Sequence, residues 1–380
     1  MTVDQALQLR DLASAALERL RGLKRYRISF EGYALIVLIA VAGFAAWHSG
    51  ANLLYLIFAM LISVFIVHGM VVWLMLRQLE VRRRLPVHIH AREETQVILD
   101  VRNRRRLFSS YGLRIVDHLA RGQVLGAAFA VRVLPRTTAH VTYRTVFPHR
   151  GKFALRRIEL TTRFPFGLVE RGFSVIQPQE ALVYPSMYRV DKLVDSLTAE
   201  FGEFDAPRKG EGSDYYGLRE YAPGDPARSI HWRSSVRAQR LVLVERERDE
   251  RRRLTITLLN VVPPEEKEVP TVAEAFELAV SMAASLARHF IRAGFDVQLT
   301  TASGSTSHGS GQGHLYRILT LLATLEPVIK GRAVPPDHGG SSVINLTFRN
   351  SPPPGPGIAN VDVREWRIQD GAFTRSGIAP

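Results

Sequence analysis

The chain has 380 residues, 46% of them hydrophobic, a formal charge of +14 and no cysteine. The missing thiol excludes disulfides, thiolate nucleophiles, zinc-thiolate sites and iron–sulfur clusters, and with them papain-like and transglutaminase-like catalysis. Length leaves room for two soluble domains. Many of the arginines stand beside apolar runs, where anionic lipid attracts them, so the positive charge does not call for a nucleic-acid partner.

Leu7, Leu12, Ala16, Leu20 and Leu23 stand near helical spacing, and residues 1–28 are expected to form a cytoplasmic amphipathic helix. Two apolar runs follow, Gly32 to Trp47 and Leu53 to Leu76, separated by His48 to Asn52. The second is about 24 residues, or roughly 36 Å as a helix, and holds no Asp, Glu, Lys or Arg. The first is shorter and has Glu31 at its entrance. Together they predict a transmembrane hairpin over 29–79, with spans at about 32–49 and 53–76. Arg19, Arg21, Lys24, Arg25 and Arg27 precede the first span and Arg77, Arg82, Arg83 and Arg84 follow the second, while the turn has no Lys or Arg. Both termini are therefore expected to be cytoplasmic. A second apolar run directly after the first argues against a cleaved signal peptide. His68 has no acidic companion within the runs, which favours a helix–helix hydrogen bond over a proton path.

After Arg84 the period becomes that of strands. Val87 and Ile89, Val97, Leu99 and Val101, Val131 and Val133, and Val141 and Tyr143 alternate with polar residues. Residues 80–185 are expected to form an antiparallel, immunoglobulin-like β-sandwich. His88 and His90 share a strand face but lack a third ligand, so solvent-facing positions are favoured over a metal site. Arg102, Arg104, Arg105 and Arg106 form a basic hairpin tip suited to lipid headgroups or an acidic partner. Arg163-Phe164-Pro165-Phe166-Gly167-Leu168 must bend while burying large rings, and reads as the joint between the sandwich and the next part of the chain.

Residues 186–239 read as a connecting segment holding the densest polar and aromatic pattern, Gly210 to Trp232. Asp225-Pro226 suits a helix start, placing Arg228 and Trp232 on one helical face. Arg219, Glu220, Tyr221, Gly224, Asp225, Arg228 and Trp232 are the candidate residues, read as an internal arginine–carboxylate clamp that can border a docking surface.

The hairpin, Thr162-Arg163-Phe164-Pro165-Phe166-Gly167-Leu168, and the run Leu218-Arg219-Glu220-Tyr221-Ala222-Pro223-Gly224-Asp225-Pro226-Ala227-Arg228-Ser229-Ile230-His231-Trp232 together resemble the bacterial "domain of unknown function 58" family. The resemblance covers Gly32 to about Leu325. It implies a C-terminal domain similar to the von Willebrand factor A fold, a location in the inner (cytoplasmic) membrane, and a MoxR-type AAA+ ATPase as partner.

The C-terminal pattern predicts an α/β domain over 240–350. Its strands are expected at Leu241 to Val244, Leu254 to Leu259, Asp296 to Thr300 and Val343 to Phe348, and its helices at Thr271 to Ala293 and Gly313 to Leu325, with Gly294 closing the first. In metal-binding von Willebrand A domains the strand at the position of Leu254 to Leu259 leads into Asp-x-Ser-x-Ser, where hard oxygens hold magnesium. The matching residues are Asn260, Val262 and Pro264, which offer no carboxylate or hydroxyl, so no divalent cation is expected there. Ser303 to Gly313, with His308 and His314, reads as a mobile loop rather than a phosphate cradle. Residues 351–380, a Pro/Gly-rich tail, are expected to be a loosely attached linker and strand.

No nucleotide loop, His-Glu-x-x-His helix or Gly-x-Ser-x-Gly elbow is present. The leading functional expectation is a non-enzymatic, cofactor-free membrane adaptor docking a MoxR-type ATPase or a client. The alternatives are an enzyme with a site near Asp225, Arg228 and His231, and a basic lipid-surface or nucleic-acid binder.

Overall fold

The structure is a computed structural model describing residues 25–120, 122–201, 209–222, 230–247, 253–261, 270–328, 342–347 and 358–376. It divides into two compact units, Met1–Val183 and Tyr184–Pro380.

In the first unit, α1 (Phe30–Ser49) and α2 (Asn52–Leu76) form the apolar hairpin. Both are long and apolar enough to cross a membrane, and only 11% of the most apolar window of each is buried, unlike the core helix of a soluble domain. Gly50 ends α1 in the left-handed region at φ 65°, its N–H bonded to Ala46 O at 3.0 Å.

Residues 25–28, expected to end the amphipathic helix, instead form a strand. β1 (Arg25–Ile28) pairs antiparallel with β9 (Val169–Tyr184), Arg25 opposite Gly172 and Ile28 opposite Val169, because the open edge of β9 supplies backbone partners that a local helix cannot outbid. The rest of that expected helix lies outside the described residues.

The remaining strands are β2 (Leu79–Arg84), β3 (Ile89–His90), β4 (Glu94–Asn103), β5 (Ser110–Leu119), β6 (Val124–Val133), β7 (Thr138–Val146) and β8 (Gly151–Thr162). One sheet runs β1-β9-β8-β5-β6, with β3 also on β9, and the other runs β2-β4-β7. Alternation along β4 turns Val97, Leu99 and Val101 inward against Leu113, Ile115, Ile158 and Leu160 of the opposite sheet, giving the sandwich its shared core. A buried network crosses that core. Arg83 donates from Nε to Asp117 Oδ2 at 2.6 Å and from Nη1 to Gln177 O at 3.2 Å, and the Tyr143 hydroxyl donates to Asp117 Oδ2 at 2.7 Å. Its partners come from β2, β5, β7 and β9, so it ties the two sheets together.

The second unit is built on β12 (Arg253–Leu258), β13 (Asp296–Thr301), β14 (Gly304–Ser305), β15 (Ser342–Thr347) and β16 (Ile358–Asp362), in the order β14-β13-β12-β15-β16. All pairs are parallel except β13 with β14. α5 (Pro270–Arg292) presents Phe276, Ala279, Val280, Ala283, Leu286 and Phe290 to the core and packs on β12, β13 and β15, while α6 (Gly311–Thr324) packs on α5. Gly294, at φ 88°, follows the end of α5.

Three elements depart from the sequence expectation. α3 (Asp191–Phe201) lies in the segment read as a connection, with Leu193 and Leu197 buried. Residues read as a loosely attached linker and strand supply β16, paired into the parallel sheet, and beyond it the hairpin of β17 (Trp366–Gln369) and β18 (Ala372–Arg375). Ala359, Val361, Val363 and Phe373 are buried, so apolar burial holds this stretch despite the Pro-rich run before it. The Ser303 to Gly313 loop is strapped to β13: Thr306 N–H donates to Leu299 O at 2.9 Å, and Val297 and Gly309 bond each other.

Candidate functional site

The motif segment is organised by a two-stranded sheet. β10 (Lys209–Glu220) pairs antiparallel with β11 (Val242–Glu247), which sets Arg219 opposite Leu243 and Glu220 opposite Val242. Tyr221 continues the pairing, its N–H donating to Leu241 O at 2.9 Å. Exposed Glu220 meets Arg240 at 3.4 Å, a screened pair of small energetic weight.

The helix expected to carry both Arg228 and Trp232 is not continuous between them. Ile230 is in a β-bridge, and His231 caps α4 (Trp232–Ala238) from outside, its N–H bonded to Val242 O at 2.8 Å. His231 Nδ1 accepts from Ser234 N–H at 3.2 Å, satisfying an orphan donor of the first turn. Gly224, Asp225 and Arg228 lie outside the described residues. Ser235, which no motif singles out, is the hub: its buried Oγ donates to His231 O at 3.0 Å and accepts from Val242 N–H at 2.9 Å, fastening α4 to β11. Held on this support, Trp232 is 64% and Val236 77% exposed, one turn apart, with exposed Leu241 on the adjoining segment.

At the carboxyl end of β12, Asn260 is fully buried. Its Nδ2 donates to Glu326 O at 2.8 Å and Ser303 Oγ at 3.1 Å, and its Oδ1 accepts from Ala302 N–H at 2.9 Å. The amide is thus spent on closing two loops over the strand end. Val262 and Pro264 lie outside the described residues. At the opposite end of the sheet, by the first residues of β12 and β13, burial first and the charge of Arg253 second hold His308 below its ordinary pKa, and His314 Nε2 lies 2.7 Å from Val297 O.

In the first unit, hydrogen bonds also join hairpin and sandwich. Ser29 alone separates β1 from α1. Its N–H and Oγ both donate to Leu168 O at 3.0 Å, and its Oγ accepts from Gly32 N–H at 3.1 Å. Gly32 lies so close to Leu168 that a β-carbon there would sit 2.2 Å from the carbonyl oxygen. His68 is buried and its Nε2 accepts from Val169 N–H at 3.1 Å, so its partner is the sandwich and not the other helix.

The Phe164–Pro165 bond is cis, and the turn holding it connects β8 to β9 inside the sandwich instead of leading out of it. The basic tip also divides. Arg104 pairs with Glu80 at 2.7 Å, whereas Arg105 is buried and donates to Met75 O at 3.0 Å, to Leu74 O and to Asn103 Oδ1 at 3.2 Å. Ser110 Oγ adds a bond to Met75 O at 2.8 Å. Arg105 therefore caps the carbonyl end of α2, the end at which a helix dipole favours a cation, and burial lowers its pKa.

Residues 217–339 match the family model described as "Protein of unknown function DUF58". No curated protein matches the chain. Among solved structures, the CARDB domain of a Pyrococcus furiosus protein is similar in two forms, a solution structure and a crystal structure with di-metal ions. Each is 14% identical over 26% of this chain at a TM-score of 0.19, covering 93% and 90% of the respective domain chains. Spo0M, a sporulation control protein from Bacillus subtilis, is 9% identical over 38% of this chain and 58% of its own, at a TM-score of 0.17.

Proposed function

We propose that this chain, a member of the DUF58 family through residues 217–339, is a membrane-anchored adaptor that docks a partner protein and carries out no chemistry of its own. In this reading α1 and α2 span the inner membrane as a multi-pass hairpin with both ends on the cytoplasmic side. The second unit is then a von Willebrand factor A-like domain whose partner is a MoxR-type AAA+ ATPase, as the family resemblance implies. The parallel β13-β12-β15-β16 order supports that fold. The amide of Asn260, bonded on both sides, supports a strand end that works without a cation.

The observation that carries the docking role is the pair Trp232 and Val236, 64% and 77% exposed on a helix fixed from beneath by Ser235 and His231. Tryptophan is among the residue types enriched at the energetic centre of protein interfaces, and here it stands open to water on a fixed support beside a second apolar side chain. His231 supports the same role, since its Nδ1 is engaged in capping and not poised as a base.

The test is isolation from native membranes in mild detergent, with and without ATP, of the parent and of Trp232→Ala. Mass spectrometry should recover a stoichiometric AAA+ ATPase with the parent and lose it with the variant. Its absence in both nucleotide states, or its retention by Trp232→Ala, would refute the proposal.

A further inference from the structure

The β8–β9 turn ends beside α2 well above that helix's lower end. His68 is sixteen residues into α2, roughly 24 Å from the interhelical turn at helical rise, and Val169 N–H bonds its Nε2 at 3.1 Å. A hydrocarbon core is about 30 Å thick, so a group at that depth is still inside it when the interhelical turn lies at the opposite face. Beside His68, at 5.9 Å between ring centroids, is Phe166, which is 60% exposed. Phe164 is exposed on the same turn and stacks partly on Tyr111 at 5.1 Å.

Irregular backbone is tolerated in hydrocarbon only where its polar groups are satisfied within the protein. This turn meets part of that demand, and its one charged side chain, Arg163, pairs with Glu170. Gly167 N–H donates to Arg163 O at 2.8 Å, Phe164 N–H to Thr162 Oγ1 at 3.2 Å and Val169 N–H to His68, Leu168 O accepts twice from Ser29, and Pro165 has no donor. Around it the chain carries an interfacial belt, with Arg171 over Tyr26 at 4.5 Å and Arg77 over Trp73 at 5.0 Å.

We infer that the β8–β9 turn of the sandwich is itself embedded in the bilayer, with Phe164 and Phe166 among the acyl chains near the level of His68. Lipid is the occupant of this face, and the sandwich sits in the membrane surface instead of hanging below it. The inference rests on the membrane-spanning reading proposed above.

Because the chain has no cysteine, single substitutions can be labelled directly. Phe166→Cys, and Leu107→Cys on the loop that caps α2, are reconstituted in vesicles of zwitterionic and anionic lipid with an environment-sensitive dye and nitroxide lipids labelled near the top of the acyl chain. Ile57→Cys, within α2, reports whether the helix spans, and exposed Val87→Cys, beyond the far end of β2, reports water. The expected result is blue-shifted, strongly quenched emission at 166, weaker quenching at 107 and none at 87. Emission at 166 matching that at 87 while 57 is lipid-exposed would overturn the inference and leave the spanning hairpin standing. Water-like emission at 57 as well would overturn both.

Discussion

Replacing Gly32 by Ala tests whether hairpin and sandwich are one fitted body. The added β-carbon would lie 2.2 Å from Leu168 O and 2.7 Å from Ile28 Cγ2. An ordinary contact needs about 1 Å more, and the nearer atom is main-chain, so the first turn of α1 must lift away. That movement stretches both 3.0 Å bonds from Ser29 to Leu168 O beyond reach. Two such bonds are worth about 2 kcal/mol together, overpacking adds about 1 kcal/mol, and the better helix propensity of Ala returns about 1 kcal/mol. The net, about 2 kcal/mol, raises the population with an undocked helix end roughly thirtyfold. Hydrogen exchange on the reconstituted protein should show this as faster exchange in β1 and at Val169, whose amide partner is His68. Gly69→Ala is the control, since nothing lies within 4 Å of its added carbon. Unchanged exchange in Gly32→Ala, or an equal rise in Gly69→Ala, would refute the close fit.

Two further substitutions probe the buried charges of the same unit. Arg105→Lys keeps the charge but loses the planar fork that reaches Leu74 O, Met75 O and Asn103 Oδ1. It should destabilise the unit by about 2–3 kcal/mol, and an unchanged thermal midpoint in detergent would show that α2 is not capped from the sandwich. Burial first, and the Asp117 charge next, push the Tyr143 hydroxyl well above its ordinary value, so the folded state favours the neutral phenol. That stability is complete below about pH 10 and lost as the pH rises beyond it, so urea midpoints of the parent should fall more steeply above pH 10 than those of Tyr143→Phe. Parallel slopes would argue against the buried contact.

The two long apolar helices were legible because each run continues without a charge or a proline to break it, and the sandwich because Val97, Leu99 and Val101 keep a strict period of two. β1 was not, since Arg-Tyr-Arg-Ile acquires its strand character from Gly172 and its neighbours, far along the chain. A cluster of arginines announces charge, but only the fold distinguishes Arg105, turned onto a helix end, from Arg104, paired with Glu80. Likewise the weight of prolines before Ile358 concealed not the strand but its firm attachment, with Ala359 and Val361 packed inward beside β15. At the candidate site, Trp232 stood out by its type, whereas its support by Ser235 depends on Val242, a contact that residue identity alone does not reveal.

The chain enters the hairpin from one sheet and leaves it into the other. β1 belongs to the β9 sheet and passes to α1 through Ser29, while α2 passes through Arg77 and Gln78 to β2 of the β4 sheet. With connections this short, the two helices act as a pair of levers, each rooted in a different half of the sandwich. Any change in the angle between them is transmitted as shear between the sheets. The Arg83–Asp117–Tyr143 network, which bridges those sheets, is the spring against which that shear must work.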